Sequence, residues 1–258
     1  MAITIAITNN KGGIGKTTSA VNIADVLRNI KYKVLMIDMD QQCNATSLYN
    51  AKSKDEYTIH DILMNDTDPK EAIQSTFMGD IIPGDELIGQ DQSQLMHSPG
   101  GYMCLKTKVI NKVKDMYDFI IIDTPPSLEL AMSASLVCAD GVIIPLRADR
   151  LSIEGLVRLN KVIMEAKESL NPDLEIYGAL LTDYMPNTNL DREVLEGLPE
   201  KVKMMGLRSF KTAVRRCQEI KNAQAAGKSL YEFAPKCGAA QDYINVVVEL
   251  LKIIKGEE

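Results

Sequence analysis

Residues 9–18, NNKGGIGKTT, have the composition of a loop that binds phosphate. The stretch follows an apolar run that predicts a strand and opens a run with helical periodicity, which is the setting that a P-loop requires. Glycine lets backbone N–H groups turn towards phosphate oxygens, because a side chain would block their approach or forbid the backbone angles. The helix N-terminus adds a partial positive charge. We therefore predict a triphosphate site formed by Gly12, Gly13, Ile14, Gly15, Lys16, Thr17 and Thr18.

Two side chains of this loop have specific predicted roles. Lys16 is expected to reach the β- and γ-phosphates, and the Thr17 hydroxyl is expected to bind Mg²⁺. A glycine-rich turn without a ligand is the alternative. The common form of the motif has glycine five residues before Gly15, but Asn10 occupies that position here, and a second lysine, Lys11, lies beside the loop.

Three aspartates follow apolar runs and are candidates for the same site. Asp38 and Asp40 lie at the end of VLMIDMD, and Asp123 ends DFIIID. Ligands of open parallel sheets bind at the carboxyl ends of the strands, so Asp123 is predicted to hold the Mg²⁺ shell as a Walker B carboxylate. The alternative for Asp38 and Asp40 is that they cap the turn after their strand.

The elements that must position these residues are short β-branched runs alternating with helical stretches. Several of the runs are apolar on both faces, which predicts an α/β fold with a mostly parallel sheet and helices on both faces. No linker divides the chain, so a single domain over residues 1–258 is expected. Predicted strands cover 3–8, 34–38, 118–123, 141–146 and 175–182, and predicted helices cover 16–30, 127–139, 151–168 and 239–255. Residues 49–91 are expected to form a helix and loops.

Composition excludes several classes of protein. The chain has 258 residues, 45% of them hydrophobic, and a net charge of −6, which indicates an ordinary soluble globular protein. The first residues lack a basic region and a long apolar run, so a cytoplasmic location is expected. Five scattered cysteines without a CxxC pair are interpreted as reduced thiols. His60 and His97 have no partner at metal-ligand spacing, so no zinc site is predicted.

Three segments resemble one known superfamily. KGGIGKT at 11–17 resembles the deviant Walker A motif of proteins that include ParA, MinD and the nitrogenase iron protein. DMDQQCNAT at 38–46 resembles the segment D-x-D-P-Q-G-N-A-T, with Gln41 and Cys43 as departures, and GVIIPLRADRLSIEGL at 141–156 is a further match. The chain is thus identified as similar to the ParA/Soj partition ATPases, with the P-loop NTPase fold, ATP and Mg²⁺.

The resemblance implies roles for particular residues. Lys11 corresponds to the lysine that crosses a dimer interface to the partner's phosphates, so a homodimer with ATP sandwiched between its subunits is implied. Asp40 corresponds to the residue that orients the attacking water, and Asp38 to one that approaches Mg²⁺ through a water. The base is implied to lie near Thr182, and ATP is favoured over GTP because no N-K-x-D motif occurs.

A basic stretch predicts a surface for nucleic acid. Between residues 201 and 228 there are eight basic residues against the single acidic residue Glu219, in a chain that is acidic overall. The solvated face of a helix is the alternative. The resemblance implies nonspecific binding of double-stranded DNA in the ATP form, association with the nucleoid, and slow hydrolysis stimulated by a ParB-like DNA-bound protein. The candidate DNA contacts are Lys201, Lys203, Arg208, Lys211, Arg215, Arg216 and Lys221.

Three other functions are left open by the sequence. A MinD-like membrane-cycling ATPase shares the motif, but the C-terminal KIIKGEE is short and acidic, so no membrane contact is expected. An iron-protein reductase would use Cys104 and Cys138 as cluster ligands, although both are more readily interpreted as buried thiols. A regulatory ATPase of a mobile element would use the same nucleotide switch with another partner.

Overall fold

One seven-stranded sheet organises the molecule in the computed structural model, which describes residues 1–97, 100–127 and 130–257. The strand order is β3-β4-β2-β5-β1-β6-β7, and every neighbouring pair is parallel except β3 and β4. The strands are β1 Ile3–Ile7, β2 Val34–Asp38, β3 Gln74–Thr76, β4 Gly79–Ile82, β5 Phe119–Asp123, β6 Gly141–Leu146 and β7 Glu175–Leu181.

Helices connect the strands and cover both faces of the sheet. A 3₁₀ turn at Gly101–Met103 and a π-helical segment at Lys106–Ile110 precede the short helix α6. The helices are α1 Lys16–Asn29, α2 Asn44–Leu48, α3 Ile59–Asn65, α4 Pro69–Ala72, α5 Leu87–His97, α6 Asn111–Val113, α7 Leu130–Cys138, α8 Arg150–Ser169, α9 Asn189–Lys203, α10 Gln218–Ala225, α11 Leu230–Phe233 and α12 Gly238–Lys255.

Burial on both faces explains why the central strands have few polar residues. Every residue of β2, β5 and β6 is buried. Alternate residues of β2 pack into different clusters: Met36 joins the cluster that contains α1 and α12, whereas Leu35 and Ile37 join the cluster that contains α3 and α7. A parallel sheet covered in this way needs apolar side chains on both sides, as the continuous β-branched runs predicted. The α/β fold class is therefore confirmed.

The predicted element bounds agree with the structure to within a few residues for the five parallel strands β1, β2, β5, β6 and β7. The first and last predicted helices correspond to α1 and α12, and the predicted helix at 127–139 corresponds to α7, although residues 128 and 129 lie outside the described part of the chain. The prediction for 49–91 was incomplete, because this stretch also contains β3 and β4. These strands have three and four residues, too few to show a period in the sequence.

The register of the central strands brings the predicted site residues together. Asp123 at the end of β5 is level with Ile7 at the end of β1 and with Asp38 at the end of β2. The P-loop and both carboxylates therefore lie together at the carboxyl ends of the central strands, and we call this side of the sheet the nucleotide edge. Within the described residues, no helix is both long and apolar enough to cross a membrane.

Candidate nucleotide-binding site

The loop between β1 and α1 has the backbone of an anion cradle. Gly13 and Gly15 have φ values of 70° and 88°, in the left-handed region that favours glycine. Gly15 caps α1, and the first intrahelical hydrogen bond runs from the Ser19 N–H to its carbonyl. The N–H groups of residues 16–18 therefore have no partner within the helix and are available to an anion at its N-terminus.

Side chains from the first and last parallel strands hold this loop in place. The Asn9 amide donates to the Pro145 carbonyl at 2.7 Å, and its oxygen accepts the Lys11 N–H at 3.1 Å. The buried Thr182 hydroxyl donates to the Ile14 carbonyl at 2.7 Å and lies 3.0 Å from the Leu146 carbonyl. The loop is thus fixed to β6 and to the end of β7 before any ligand binds.

Lys16 extends across the inside of the loop. Its Nζ donates to the Lys11 carbonyl at 3.1 Å, and the residue is 7% exposed. Burial lowers the pKa of Lys16 from its usual value, whereas the charges of Asp123 and Asp40 act in the opposite direction. A buried ammonium group with a single carbonyl partner and two carboxylates nearby is well placed to bind an anionic group that enters the loop.

Asp123 is a buried carboxylate at the end of β5. It is 0% exposed, and neither carboxylate oxygen has a hydrogen-bond partner among the described residues. Burial and the neighbouring Asp38 carboxylate raise the pKa of Asp123 well above its ordinary value, and the Thr17 hydroxyl offsets this only in part. Buried polar groups are normally paired, so this orphaned carboxylate is suited to binding a cation.

The donor set fits Mg²⁺ bound together with phosphate. The described residues contain no cluster of three or more His, Cys, Asp or Glu side chains that could hold a metal without help. Mg²⁺ is usually bound by one or two carboxylates plus phosphate oxygens and waters, and a Ser or Thr hydroxyl completes the set in P-loop proteins. Asp123 and Thr17 are the residues that would supply these protein ligands.

Asp38, by contrast, is fully engaged in holding the loop after β2. One carboxylate oxygen accepts the Thr46 N–H at 2.8 Å and the Thr46 hydroxyl at 2.7 Å, and the other accepts the Asp40 N–H at 3.1 Å. Burial raises the pKa of Asp38 to about 6, although these hydrogen bonds act to lower it. Its contacts position Asp40, and they are consistent with an approach to Mg²⁺ only through water.

Asp40 faces the open side of the site. Its Oδ1 accepts the Gln42 N–H at 3.0 Å, and the residue lines a cavity of about 460 Å³ together with Lys16, Thr17 and Pro126. Asp40 thus lies on the wall of the cavity that also contains Lys16 and Thr17.

A second cavity of about 560 Å³ adjoins the other side of the P-loop. Gly13, Gly15 and Thr182 form one wall. Sequence reasoning missed two polar residues of the opposite wall, Asp183 and Arg147. The Asp183 carboxylate accepts two hydrogen bonds from Arg216 at 2.7 and 2.6 Å and lies 2.6 Å from Arg147. The sequence signal that could have identified Asp183 is its position just after β7, because ligands of parallel sheets bind at the carboxyl ends of the strands. The size and place of this cavity suit the base and sugar of a nucleotide.

Lys11 is held within its own subunit. Its Nζ donates to both oxygens of Asp149 at 2.8 and 3.0 Å, and both side chains are about one third exposed. A surface ion pair of this kind contributes only about 0–1 kcal/mol to stability. Replacing Asp149 by a phosphate as the partner of Lys11 therefore costs little free energy.

Three of the seven candidate DNA contacts, Arg215, Arg216 and Lys221, line the larger cavity. Residues 208–216 run parallel to β7, with hydrogen bonds at Ala179 and Tyr184, so Arg215 and Arg216 reach the nucleotide edge. Lys221 in α10 lies at the same edge and lines the larger cavity. Lys201 and Lys203 lie in the last turn of α9, and Arg208 and Lys211 belong to the segment beside β7; none of these four lines the larger cavity. Arg215 is bound by Asp242, as Arg216 is by Asp183.

The two cysteines of the iron-cluster alternative are core residues. Cys104 and Cys138 are 1% and 7% exposed and pack in the same apolar cluster. Burial raises the pKa of both thiols above the ordinary value. This environment disfavours thiolate ligands at a subunit surface.

Comparisons with known proteins agree with this geometry. A family model described as an AAA domain matches residues 2–176. The sporulation initiation inhibitor protein Soj of Bacillus subtilis strain 168 is 35% identical over 249 residues, covering 95% of this chain and 97% of that protein. The chromosome partitioning protein ParA of Myxococcus xanthus is 32% identical over 251 residues, covering 96% and 87%.

Solved structures show the same fold. Cobyrinic acid a,c-diamide synthase from Mycobacterium smegmatis, determined with a bound ATP analogue and magnesium, has a TM-score of 0.85 at 26% identity and covers 99% of this chain and 96% of its own. A plasmid partition protein from Borrelia burgdorferi has a TM-score of 0.76 at 26% identity, with coverage of 98% and 99%.

Proposed function

The chain belongs to the ParA/Soj family of partition ATPases, and from this premise we propose that it binds Mg·ATP in the P-loop, dimerises around the nucleotide and then binds duplex DNA. The observation that carries the proposal is the buried, unpartnered Asp123 carboxylate beside Thr17 and Lys16. The related M. smegmatis synthase was solved with an ATP analogue and magnesium, which supports the choice of ligand.

In this proposal the P-loop binds the triphosphate with its backbone and with Lys16. The free N–H groups of residues 16–18 donate to phosphate oxygens, and the Lys16 ammonium exchanges the Lys11 carbonyl for the β- and γ-phosphates. Thr17 and Asp123 hold Mg²⁺, which neutralises charge on the phosphates during transfer. The base occupies the larger cavity beside Thr182, where adenine is the proposed base.

In this proposal, hydrolysis depends on three further residues, Asp40, Asp38 and Lys11. Asp40 orients the attacking water through its Oδ2, while Asp38 holds the backbone of Asp40 in place. Lys11 leaves Asp149 and reaches the nucleotide of a second subunit, where its charge stabilises the transferring phosphoryl group. An isolated subunit lacks that second lysine, so we propose that its hydrolysis is slow.

The proposed DNA surface is the basic group at the nucleotide edge, Arg215, Arg216 and Lys221. A dimer doubles this group, and contacts of this kind recognise phosphates rather than base sequence. Lys201, Lys203, Arg208 and Lys211 provide further positive charge at longer range. A ParB-like DNA-bound protein that stimulates hydrolysis completes the proposed cycle of DNA partition in the cytoplasm, with the ATP form on the nucleoid.

Calorimetry with ATP and Mg²⁺, combined with sedimentation, tests the proposal. We expect the protein to take up ATP and to sediment as a dimer only when loaded. Lys16→Ala should lose both properties. Asp40→Ala should bind ATP and dimerise but lose at least about 100-fold in hydrolysis, as expected for a residue that positions the nucleophile. Lys11→Ala should bind ATP without forming a stable dimer.

Two results would contradict the proposal. If the pure protein supplied with Mg²⁺ takes up no adenine nucleotide, the assignment of the site is wrong. If Lys16→Ala, Lys11→Ala and Asp40→Ala behave alike, the division of roles among them is wrong.

A further inference from the structure

Helix α10, Gln218–Ala225, contacts the P-loop and lines both of the neighbouring cavities. Gln224 lines both the cavity that contains Lys16 and Asp40 and the larger cavity that contains Thr182. Gln218 and Lys221 line only the larger one. α10 therefore contacts the site on the triphosphate side and on the base side through one residue.

Gln224 makes a direct contact with the anion cradle. Its Nε2 donates to the Thr18 hydroxyl at 3.1 Å, in a partly buried position. Thr18 is the third residue of α1, so its N–H is one of the donors without an intrahelical partner. The Thr18 carbonyl also accepts a hydrogen bond from Asn22 at 2.7 Å, which fixes the first turn of α1. A ligand that engages the Thr18 N–H thus acts on the residue that Gln224 contacts.

The same helix carries basic charge on its adjacent turn. Lys221 is three residues before Gln224, and residues with this spacing share one side of a helix. Lys221 is exposed, and Arg216 lies just before the first residue of the helix. A change in the orientation of α10 therefore moves Lys221 relative to the rest of the surface.

Other contacts hold the segment before α10 but do not connect it to the P-loop. Arg215 donates to Asp242 of α12 at 2.7 and 2.6 Å, and Arg216 donates to Asp183 after β7. The Asn222 side chain, among the described hydrogen bonds, contacts only Gln218 and Glu219 of the same helix. Asn222 is therefore a matched control for Gln224.

We propose that Gln224 is a positioning residue that transmits occupancy of the P-loop, through Thr18, to the orientation of α10 and Lys221. This inference rests on the proposed function, since it names the contact by which a bound nucleotide controls the basic surface. Helix α10 then belongs both to the triphosphate site and to the proposed DNA surface, and the Gln224 amide connects the two.

The test compares Gln224→Ala with Asn222→Ala and the unaltered protein. Calorimetry first establishes that each protein is saturated with ATP and Mg²⁺. Amide hydrogen exchange in α10 is then measured with and without the nucleotide. In the unaltered protein and in Asn222→Ala, ATP should slow exchange in α10 by about three- to tenfold, the factor that one hydrogen bond of ordinary net strength supplies. Gln224→Ala should bind ATP and lose this effect.

Retention on duplex DNA provides a second measurement. Gln224→Ala should show a smaller ratio of ATP-dependent to ATP-independent retention than Asn222→Ala. Equal slowing of exchange in all three loaded proteins would overturn the inference, as would equal loss in both variants. Absence of ATP uptake by the unaltered protein would instead reject the proposed function, so the two failures are distinguishable.

Discussion

At the scale of single residues, three aspartates that each follow or end an apolar strand have different environments. Neither oxygen of Asp123 has a hydrogen-bond partner among the described residues, Asp38 accepts three hydrogen bonds, and Asp40 lines the cavity beside Lys16. The sequence predicted that all three lie at one edge of the sheet. It could not show that Thr46 supplies two hydrogen bonds to Asp38, because that contact depends on the path of the loop between them.

Asp123→Asn should stabilise the nucleotide-free protein while weakening Mg²⁺-dependent ATP binding. The raised pKa of Asp123 shows that its charged form is disfavoured by burial and by Asp38, and removing that charge relieves the cost. At neutral pH we expect the free energy of unfolding to increase, because the folded protein no longer buries this carboxylate charge. Urea unfolding without nucleotide measures the gain, and calorimetry measures the loss of ATP affinity.

The matched control for this prediction is Asp118→Asn, in the loop before β5. Asp118 is exposed and accepts a hydrogen bond from the Lys33 N–H. Its substitution should not stabilise the protein. A decrease in stability for Asp123→Asn would show that the carboxylate is compensated in the folded protein, contrary to our interpretation.

At the scale of elements, the sequence predicted the parallel strands well and the connections poorly. β-Branched runs such as GVIIPL at 141–146 are long enough for their apolar character to identify a buried strand. β3 and β4 were missed because a short hairpin at the sheet edge has no such run. The added segment 208–216 along β7 was also missed, since its pairing depends on contacts that are distant in sequence.

Thr182→Val should loosen the attachment of the P-loop to β7. The substitution keeps the shape of the side chain but removes the hydroxyl that donates to Ile14, next to the Leu146 carbonyl. We expect a loss of about 1–3 kcal/mol in the free energy of unfolding, because a buried carbonyl is left without a partner. We also expect weaker ATP binding. Thr182→Ser, which keeps the hydroxyl, is the control, and a loss as large as that of the valine variant would contradict the role of this hydrogen bond.

At the scale of the whole molecule, charge is distributed unevenly around an acidic protein. The sequence indicated a basic stretch but could not show that it divides between the nucleotide edge and the end of α9, because that division follows from the course of the chain after β7. Arg215 and Arg216 are engaged with Asp242 and Asp183, whereas Lys221 projects from α10.

Lys221→Ala should therefore weaken ATP-dependent DNA binding more than Lys201→Ala. Loss of a phosphate contact reduces the slope of the logarithm of affinity against the logarithm of salt concentration by about 1. We expect this reduction for Lys221→Ala and little change in slope for Lys201→Ala, measured by titration of a fluorescent duplex at several salt concentrations. The opposite order would place the DNA surface at the end of α9.

The position of β5 between β2 and β1 also affects how the protein is made. The P-loop leaves the ribosome early, but the strand that joins its two neighbours ends only at Asp123. At translation rates of about 5–20 residues per second, the nascent chain spends roughly 5–20 s with unpaired apolar strands. During synthesis these strands are exposed to chaperones, and the growing polypeptide cannot capture nucleotide until almost half of it has emerged.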